Sequence, residues 1–230
     1  MKPVSDKTKF LALTLIALVS LTSVGLTSCA TSSQKDIQTS KTTTNGSNNQ
    51  QMNHESMNHG SNMSLGPNDE YYDLRFIDAM RLHHAGAIAM AKEASEKSQR
   101  PEIKSLARNI IVAQQREEKD LLQKWRQVWY PKASKEPVVY GSEIQPIIAM
   151  TKEQEKSMAM VESLGADDDK FDLRFMDGMI IHHEGAVAMA KDALNKSKRT
   201  EIKQLANEII SSQQKEIEQM KQWLKTWYKQ

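Results

Sequence analysis

Two pairs of adjacent histidines carry the most chemistry in this sequence, and methionines flank each pair at the same spacing. His83 and His84 form one pair, and His182 and His183 form the other. In each copy one methionine stands three residues before the pair and another six residues after it: Met80 and Met90, then Met179 and Met189. Imidazole nitrogens and thioether sulfurs together are ligands for soft transition-metal ions, so the pattern predicts a metal site.

The stretch around each histidine pair is an internal repeat. Residues 73–94 and 172–193 are identical at 15 of 22 positions, at a constant offset of 99 residues. The following residues 101–130 recur as 200–228 with one residue deleted. A repeat of this kind sets the architecture, because each copy should form the same supersecondary unit.

Each repeat reads as an antiparallel helical hairpin. Apolar residues recur at a helical period over residues 69–98 and again over 101–130, and the break between the two runs is short. The second copy gives helices over 168–198 and 200–228. Neither hairpin can bury its apolar stripe alone, so the sequence predicts an all-α four-helix bundle in which the two hairpins pack on each other.

The segment between the hairpins, residues 131–167, is predicted to be a crossover connection. Its first part holds three prolines and a glycine and should not be helical. Thr151 and Gln154 then match a capping box, which predicts a short amphipathic helix that ends near Leu164.

The second helix of each hairpin carries polar residues on its apolar stripe. The predicted stripe of the first copy is Ile103, Leu106, Ala107, Ile110, Leu121, Trp125 and Val128. Gln114 and Glu117 fall on this stripe, and Gln213 and Glu216 take the same places in the second copy. Buried polar groups need partners, so we expect them to face the histidines.

The antiparallel register predicts which residues lie level with each other. The first hairpin is predicted to turn near residues 99–100, and the second to turn one repeat later. Residues that face each other across the hairpins are then expected to be His83 with Glu117, His182 with Glu216 and Met179 with Met220. At about 100° per residue, Asp78, Asp177 and Glu184 should face solvent. The sequence therefore predicts a layer of histidine and glutamate inside the bundle, with methionines on either side.

Within this layer several ligand sets are possible. Met80 and His84 are four residues apart on one helix, as are Met179 and His183, so each pair could share an ion. Met176 adds a thioether one turn before Met179. Met90 is two turns from His83 and belongs to a second site or to the core. A small rotation of a helix exchanges the two histidines of a pair, so the ligand of each pair is left open, as is a purely structural His–Glu layer.

The N-terminus is predicted to be a lipoprotein signal peptide over residues 1–28. Lysines precede an apolar run at 10–24, which ends in a sequence that resembles the bacterial lipobox with its cysteine at Cys29. Cys29 is the single cysteine of the chain, so an intrachain disulfide is excluded. We expect lipid chains on Cys29 to tether the protein to a membrane surface outside the cytoplasm, in the periplasm or at the cell surface. The formal net charge of +2 without a basic stripe gives no case for nucleic-acid binding.

Residues 29–66 are rich in Ser, Thr, Asn and Gln and are predicted to be a disordered tether that leads to the bundle domain at 67–230. The tether contains methionines and histidines that fill no core: Met52, His54, Met57, His59 and Met63. They are interpreted as soft-metal ligands that capture ions. The alternative is low-complexity sequence without a role.

The two repeats resemble the CopM-like family of bacterial secreted copper-binding proteins, a domain long of unknown function. The resemblance rests on D-x-x-F-x-x-x-M-x-x-H-H-x-G-A-x-x-M-A at 73–91 and 172–190, and on Q-x-x-E-I-x-x-M-x-x-W-L at 213–224. It implies a ferritin-like bundle that binds copper outside the cytoplasm and aids copper tolerance. It also implies binding by Met80, His83, His84, Met90, Met179, His182, His183 and Met189. The first copy departs from the pattern, with Leu121 where the second has Met220, Glu118 for Ile217, and Arg81 for an apolar residue.

The sequence thus favours a copper-binding protein over an enzyme. Thioether and imidazole ligands without thiolates favour Cu(I) or Ag(I), with Cu(II) at imidazole-rich positions. The protein would store Cu(I) or pass it to a copper-handling partner. One rival is a ferritin-like di-metal oxidase, but neither histidine pair has the Glu-x-x-His spacing of that class. The other rival is a structural or partner-binding bundle.

Overall fold

The computed structural model describes residues 64–161 and 163–230. The predicted signal peptide, Cys29 and the tether ligands Met52, His54, Met57, His59 and Met63 lie outside the described residues. In order, the elements are α1 (Tyr72–Lys97), α2 (Pro101–Arg116), a π-helical turn (Glu117–Leu122), α3 (Gln123–Trp129), β1 (Val138–Val139), β2 (Ile148–Ala149), α4 (Lys152–Ala159), α5 (Phe171–Lys196), α6 (Thr200–Trp223) and a second π-helical turn (Leu224–Tyr228). Within these ranges, no helix is long and apolar enough to cross a membrane.

The predicted all-α four-helix bundle is confirmed. Helix α1 packs on α2 to form the first hairpin, and α5 packs on α6 to form the second. The hairpins meet through α1 and α5. The first half of α1 shares an apolar cluster with the second half of α5, so these two central helices run in opposite directions.

The bundle has two apolar cores, one towards each end. The first core holds the start of α1, the end of α5 and the first half of α6, with Phe76, Met80 and Met189 among its members. The second core holds the end of α1, the start of α5 and the first half of α2, with Met90 and Phe175 among its members. The histidine pairs fall between the two cores along both central helices. The repeats are thus arranged around an approximate two-fold axis near the histidines.

An arginine near the start of each central helix fixes the chain that enters it. Arg75 Nε donates to the Leu65 carbonyl at 2.6 Å, and its Nη2 donates to the Pro67 carbonyl at 2.7 Å. Arg174 repeats this arrangement, with its Nε 2.6 Å from the Leu164 carbonyl. Arg75 and Arg174 are equivalent residues of the two repeats, because they are 99 positions apart. Both repeats therefore receive their incoming chain in the same place and by the same hydrogen bonds.

Reciprocal ion pairs join the two hairpins. Arg100, in the turn of the first hairpin, lies 3.4 Å from the Asp172 carboxylate at the start of α5. Arg199, in the turn of the second hairpin, lies 3.5 Å from the Asp73 carboxylate at the start of α1. Each hairpin turn thus holds the start of the other hairpin, and this keeps α1 and α5 in register.

The prediction that Asp78 faces solvent is wrong. Asp78 is only 2 % exposed, and its carboxylate accepts a hydrogen bond from Arg126 Nη2 at 3.1 Å and from the Val138 backbone N–H at 3.0 Å. The crossover strand lies over this face of α1, which helical periodicity alone does not reveal. Asp177 is half-buried rather than exposed, whereas Glu184 is exposed as predicted.

The predicted buried stripe of the second helix fails beyond the π-helical turn. Val128 is 72 % exposed and Leu121 is only half-buried, whereas Leu122 is fully buried. The N–H of Gln123 bonds to the carbonyl of Glu118, five residues earlier, so the turn contains one residue more than an α-helical turn. This turn accommodates the residue that the second repeat lacks, and it places Leu122, not Leu121, in the position of Met220.

The crossover has the predicted non-helical first part and the predicted short helix, and both differ from the prediction in detail. Strands β1 and β2 form an antiparallel pair within the segment that was predicted only to be non-helical. The capping box of Thr151 and Gln154 is present, with both reciprocal hydrogen bonds. Helix α4 ends at Ala159, earlier than the predicted Leu164, because Met160 adopts a left-handed conformation with φ of 47°.

Candidate metal centre

Four histidines meet where the central helices cross. His83, His84, His182 and His183 are each at most 1 % exposed. The rings of His83 and His182 come from opposite hairpins and lie with their centroids 3.8 Å apart at an interplanar angle of 53°. We call these four histidines, together with Gln114, Glu117, Gln213 and Glu216, the polar layer.

In each repeat one histidine bonds to a glutamate of the same hairpin. His84 Nε2 lies 2.7 Å from the Glu117 carboxylate, and His183 Nε2 lies 2.7 Å from the Glu216 carboxylate. The predicted pairing of His83 and His182 with these glutamates is therefore wrong by one residue. The first histidine of each pair instead points across the bundle to the other hairpin, because the two side chains differ in direction by about 100°.

Hydrogen bonds at Nε2 leave Nδ1 free on these rings. His182 Nε2 lies 3.1 Å from the Ala159 carbonyl, which only accepts, so Nε2 carries the proton and Nδ1 has the lone pair. A glutamate carboxylate imposes the same tautomer on His84 and His183. Among the described residues, the Nδ1 atoms of all four histidines are buried and have no hydrogen-bond partner. His83 differs from the others because its Nε2 also lacks a partner in this part of the chain.

The buried location keeps the central pair of histidines neutral. Burial lowers the pKa of His83 well below its usual value, and the neighbouring His182, His84 and His183 lower it further. Burial, followed by the effect of His183, lowers the pKa of His182 from 6.5 to about 3. Neutral imidazole is the form that binds a metal ion, so neither ring needs to lose a proton first.

The remaining members of the polar layer lie towards its edges. Gln114 and Gln213 are each 3 % exposed, and the Oε1 atom of each lacks a hydrogen-bond partner within residues 64–161 and 163–230. The side chains of Glu117 and Glu216 are 17 % and 22 % exposed. The two carboxylates thus connect the buried histidines to solvent. The two glutamines are buried as predicted, whereas the two glutamates are partly exposed.

The predicted methionine ligands of the bundle all lie in the two apolar cores. Met80 and Met189 belong to the first core, and the second core contains Met90, Met176, Met179 and Met220. Each of these thioethers is at most 1 % exposed. The structure therefore brings the histidines and glutamates together and places the thioethers on either side of them. In the described parts of the chain, no three His, Cys, Asp or Glu side chains form a group that could hold an ion.

Two features next to the polar layer are not predicted by the sequence. The carbonyl of Ala159, at the end of α4, lies only 1.7 Å from the point where a Cβ on Gly86 would stand. Glycine inside a helix is unfavourable, so Gly86 indicates a close approach, but it does not identify the partner. The second feature is the ion pair between Arg81 and Glu118, whose Nε and Oε1 atoms are 2.9 Å apart.

This ion pair explains how the first repeat departs from the family pattern. The equivalents of Arg81 and Glu118 are Ile180 and Ile217, which both belong to the second core and are each 8 % exposed. The first repeat therefore has one charged pair, Arg81 with Glu118, where the second repeat has one apolar pair. They leave the bond between His84 and Glu117 intact.

The chain matches a known protein family over most of the described residues. The model of the family described as "Domain of unknown function (DUF305)" matches residues 73–224. Among curated proteins, an uncharacterized protein, L153 of Acanthamoeba polyphaga mimivirus, is 49 % identical over 53 residues. That match covers 23 % of this chain and only 33 % of the viral protein, so the chain spans about a third of that relative.

The solved structures with similar folds include several of CopM. The Cu(II)-bound form is 38 % identical, with a TM-score of 0.54, and the co-crystallised Ag-bound form is 37 % identical, with a TM-score of 0.53. The Cu(I)-bound form is 37 % identical, with a TM-score of 0.50. Each match covers 68 % of this chain and 97 % of the CopM chain.

Proposed function

The chain belongs to the DUF305 family, and we propose that it is an extracytoplasmic copper-binding protein that sequesters Cu(I) or transfers it. Its similarity to CopM, which was crystallised with Cu(I), Cu(II) and Ag, supports this class of ligand. The polar layer is the proposed binding region. Binding copper there would contribute to copper tolerance or homeostasis.

One observation carries the proposal: three buried histidines are oriented through Nε2 while Nδ1 stays free. Histidines that bind metals commonly donate their other N–H to a carboxylate or a backbone carbonyl, which fixes the tautomer and the ring. His84 and His183 have such carboxylates, and His182 has such a carbonyl. A layer with a structural role alone would leave these Nδ1 atoms unpaired, at a cost of about 1–3 kcal/mol each.

The ligand chemistry favours Cu(I) over harder ions. A site built from the described residues needs thioethers as well as imidazoles, because no group of three His, Cys, Asp or Glu side chains is present among them. Met80 and Met179 stand one turn from His84 and His183 and are the proposed sulfur ligands. Sulfur and imidazole ligands select Cu(I), and Ag(I) shares this preference.

The remaining parts of the proposal concern the N-terminal region. A lipid on Cys29 would hold the protein at a membrane surface, and the tether ligands Met52, His54, Met57, His59 and Met63 would capture ions for the bundle. A copper-handling protein could then receive them. Nothing in this scheme requires catalysis. Among the described carboxylates of the polar layer, only Glu117 and Glu216 reach a histidine, which does not favour a di-metal oxidase.

A Cu(I) competition titration against a chromophoric chelator tests the proposal. The variant His84→Asn/His183→Asn should lose at least tenfold in affinity, and Met80→Leu/Met179→Leu should lose affinity without loss of core volume. Met150→Leu is the matched control, because this methionine is 7 % exposed and lies in the crossover. Unchanged binding after replacement of all four bundle histidines would leave the polar layer a structural role alone.

A further inference from the structure

The buried polar layer needs a route by which an ion can reach it. Its four histidines are each at most 1 % exposed, and so are the thioethers of the two central helices. Within residues 64–161 and 163–230, Met160 is the one methionine that is half-buried, since all the others are buried. It directly follows the last residue of α4. Met160 is therefore the thioether that solvent reaches most readily in this part of the chain.

The end of α4 contacts the polar layer. The carbonyl of Ala159 accepts a hydrogen bond from His182 Nε2 at 3.1 Å. The same carbonyl packs against Gly86 on α1, where an added Cβ would stand only 1.7 Å from it. Met158 and Met160 are the neighbours of Ala159 in the sequence. The chain therefore places a thioether on either side of the residue that contacts His182.

A left-handed backbone brings both thioethers to the same surface. In a regular helix, residues two positions apart point about 200° apart, so Met158 and Met160 would face opposite sides. Met160 instead has a φ of 47°, and both side chains pack against the first core, which also holds Met80. Glycine or asparagine usually takes such a position, because most side chains make this conformation unfavourable. Backbone strain of this kind is often retained where a residue has a function.

We propose that Met158 and Met160 form a second, outer binding site for Cu(I) or Ag(I), from which the ion passes to the histidines of the polar layer. The inference rests on the proposed function of that layer and adds the route by which it is loaded. Thioethers are soft ligands that select these ions. The transfer is a ligand exchange without any change of oxidation state, because the thioethers give way to Nδ1 of His182, which carries the lone pair.

A filler role for the two methionines makes a different prediction. Methionine often fills irregular gaps in cores, and leucine of similar volume replaces it there at little cost. If Met158 and Met160 only pack α4 on the bundle, their replacement by leucine changes neither the response to an ion nor the rate of loading. The experiments below measure both quantities.

A silver titration followed by NMR tests whether the outer site exists. The full chain carries carbon-13 in its methionine methyl groups, and Met158→Leu and Met160→Leu assign the two signals. Both signals should shift together on addition of Ag(I), whereas the signal of Met150, in the same crossover, should not. Signals of Met158 and Met160 that stay unchanged up to saturation with Ag(I) overturn the proposal.

The rate of Cu(I) transfer tests the role of the site. Met158→Leu/Met160→Leu keeps the apolar volume, so its midpoint of urea unfolding should match that of the unmodified protein. Cu(I) should move from a chromophoric chelator into this variant at least about fivefold more slowly, because the transfer loses its intermediate ligands and the barrier rises. The final affinity, which the polar layer sets, should stay within about twofold.

Met150→Leu is the matched control for the rate and should load like the unmodified protein. Equal rates in the double variant and the unmodified protein overturn the proposal. The histidine variants of the Cu(I) titration report on the polar layer separately. Loss of the proposed function would appear there as unchanged affinity, whereas failure of the outer site appears as unchanged Met158 and Met160 signals and an unchanged rate.

Discussion

Acidification should weaken the bundle through the buried histidines of the polar layer. His182 is 1 % exposed, and burial lowers its pKa from 6.5 to about 3 in the folded protein. Between these values the unfolded chain binds a proton that the folded protein excludes. The stability tied to this group is therefore complete above pH 6.5 and is lost as the pH falls towards 3. His83 has a lowered pKa for the same reason and acts in the same direction.

The size of the effect follows from the pKa difference. One pKa unit corresponds to about 1.4 kcal/mol, so lowering the pH from 7 to 4.5 should remove about 2–3 kcal/mol of folding free energy through His182 alone. The variant His182→Gln cannot titrate at this position. We expect it to lose about 2–3 kcal/mol less than the unmodified protein over the same range, whatever its stability at pH 7.

Urea unfolding at both pH values, followed by tryptophan fluorescence and performed with a chelator present, measures these free energies. Carboxylates that titrate over the same range are common to both proteins and cancel in the comparison. Equal losses of stability in the variant and in the unmodified protein would refute the reasoning, because His182 would then be protonated in the folded bundle as readily as in the unfolded chain.

The packing around the polar layer allows further tests by urea unfolding. Arg81→Ile should destabilise the protein by about 1 kcal/mol, and adding Glu118→Ile should recover that loss by recreating the apolar pair of the second repeat; additive effects in a double-mutant cycle would show that the two residues are not coupled. Gly86→Ala should destabilise the bundle by about 2 kcal/mol despite the better helix propensity of alanine, because the added Cβ collides with the Ala159 carbonyl. Gly178→Ala is its control, since the nearest atom to its Cβ lies 3.9 Å away, and we expect a gain of up to about 1 kcal/mol. A gain of stability from Gly86→Ala would contradict the close approach of α4.

The polar layer could be predicted because both repeats carry polar residues at the same positions of an otherwise apolar helix stripe. Glu117 and Glu216 interrupt apolar stripes at equivalent positions, and such residues require buried partners. The predicted partners of these glutamates are one residue away from the observed ones. The sequence gives the register of a hairpin only to about one residue, and adjacent side chains of a helix point in directions about 100° apart. Periodicity thus located the layer along the bundle and left His83 and His84 interchangeable.

Other features depend on contacts between segments distant in sequence. Asp78 is buried because the crossover strand containing Val138 packs over it, and no property of α1 itself signals this. Val128 was placed on the wrong face because a single additional residue forms a π-helical turn and rotates everything after it. The two repeats already indicate this additional residue, because the second copy has one residue fewer in the same helix.

The approximate two-fold axis explains why the polar layer tolerates divergence between the repeats. Near the axis, each repeat contributes the same residue to one shared site, and His83 and His182 meet there at 3.8 Å. A change in either copy would alter that shared site. Two of the differences between the copies, the ion pair of Arg81 with Glu118 and the π-helical turn, leave that contact in place. Both bonds between histidine and glutamate keep the same length of 2.7 Å on either side of these differences. The fold therefore separates the residues that build the proposed copper site from those that are free to adapt each hairpin to its surroundings.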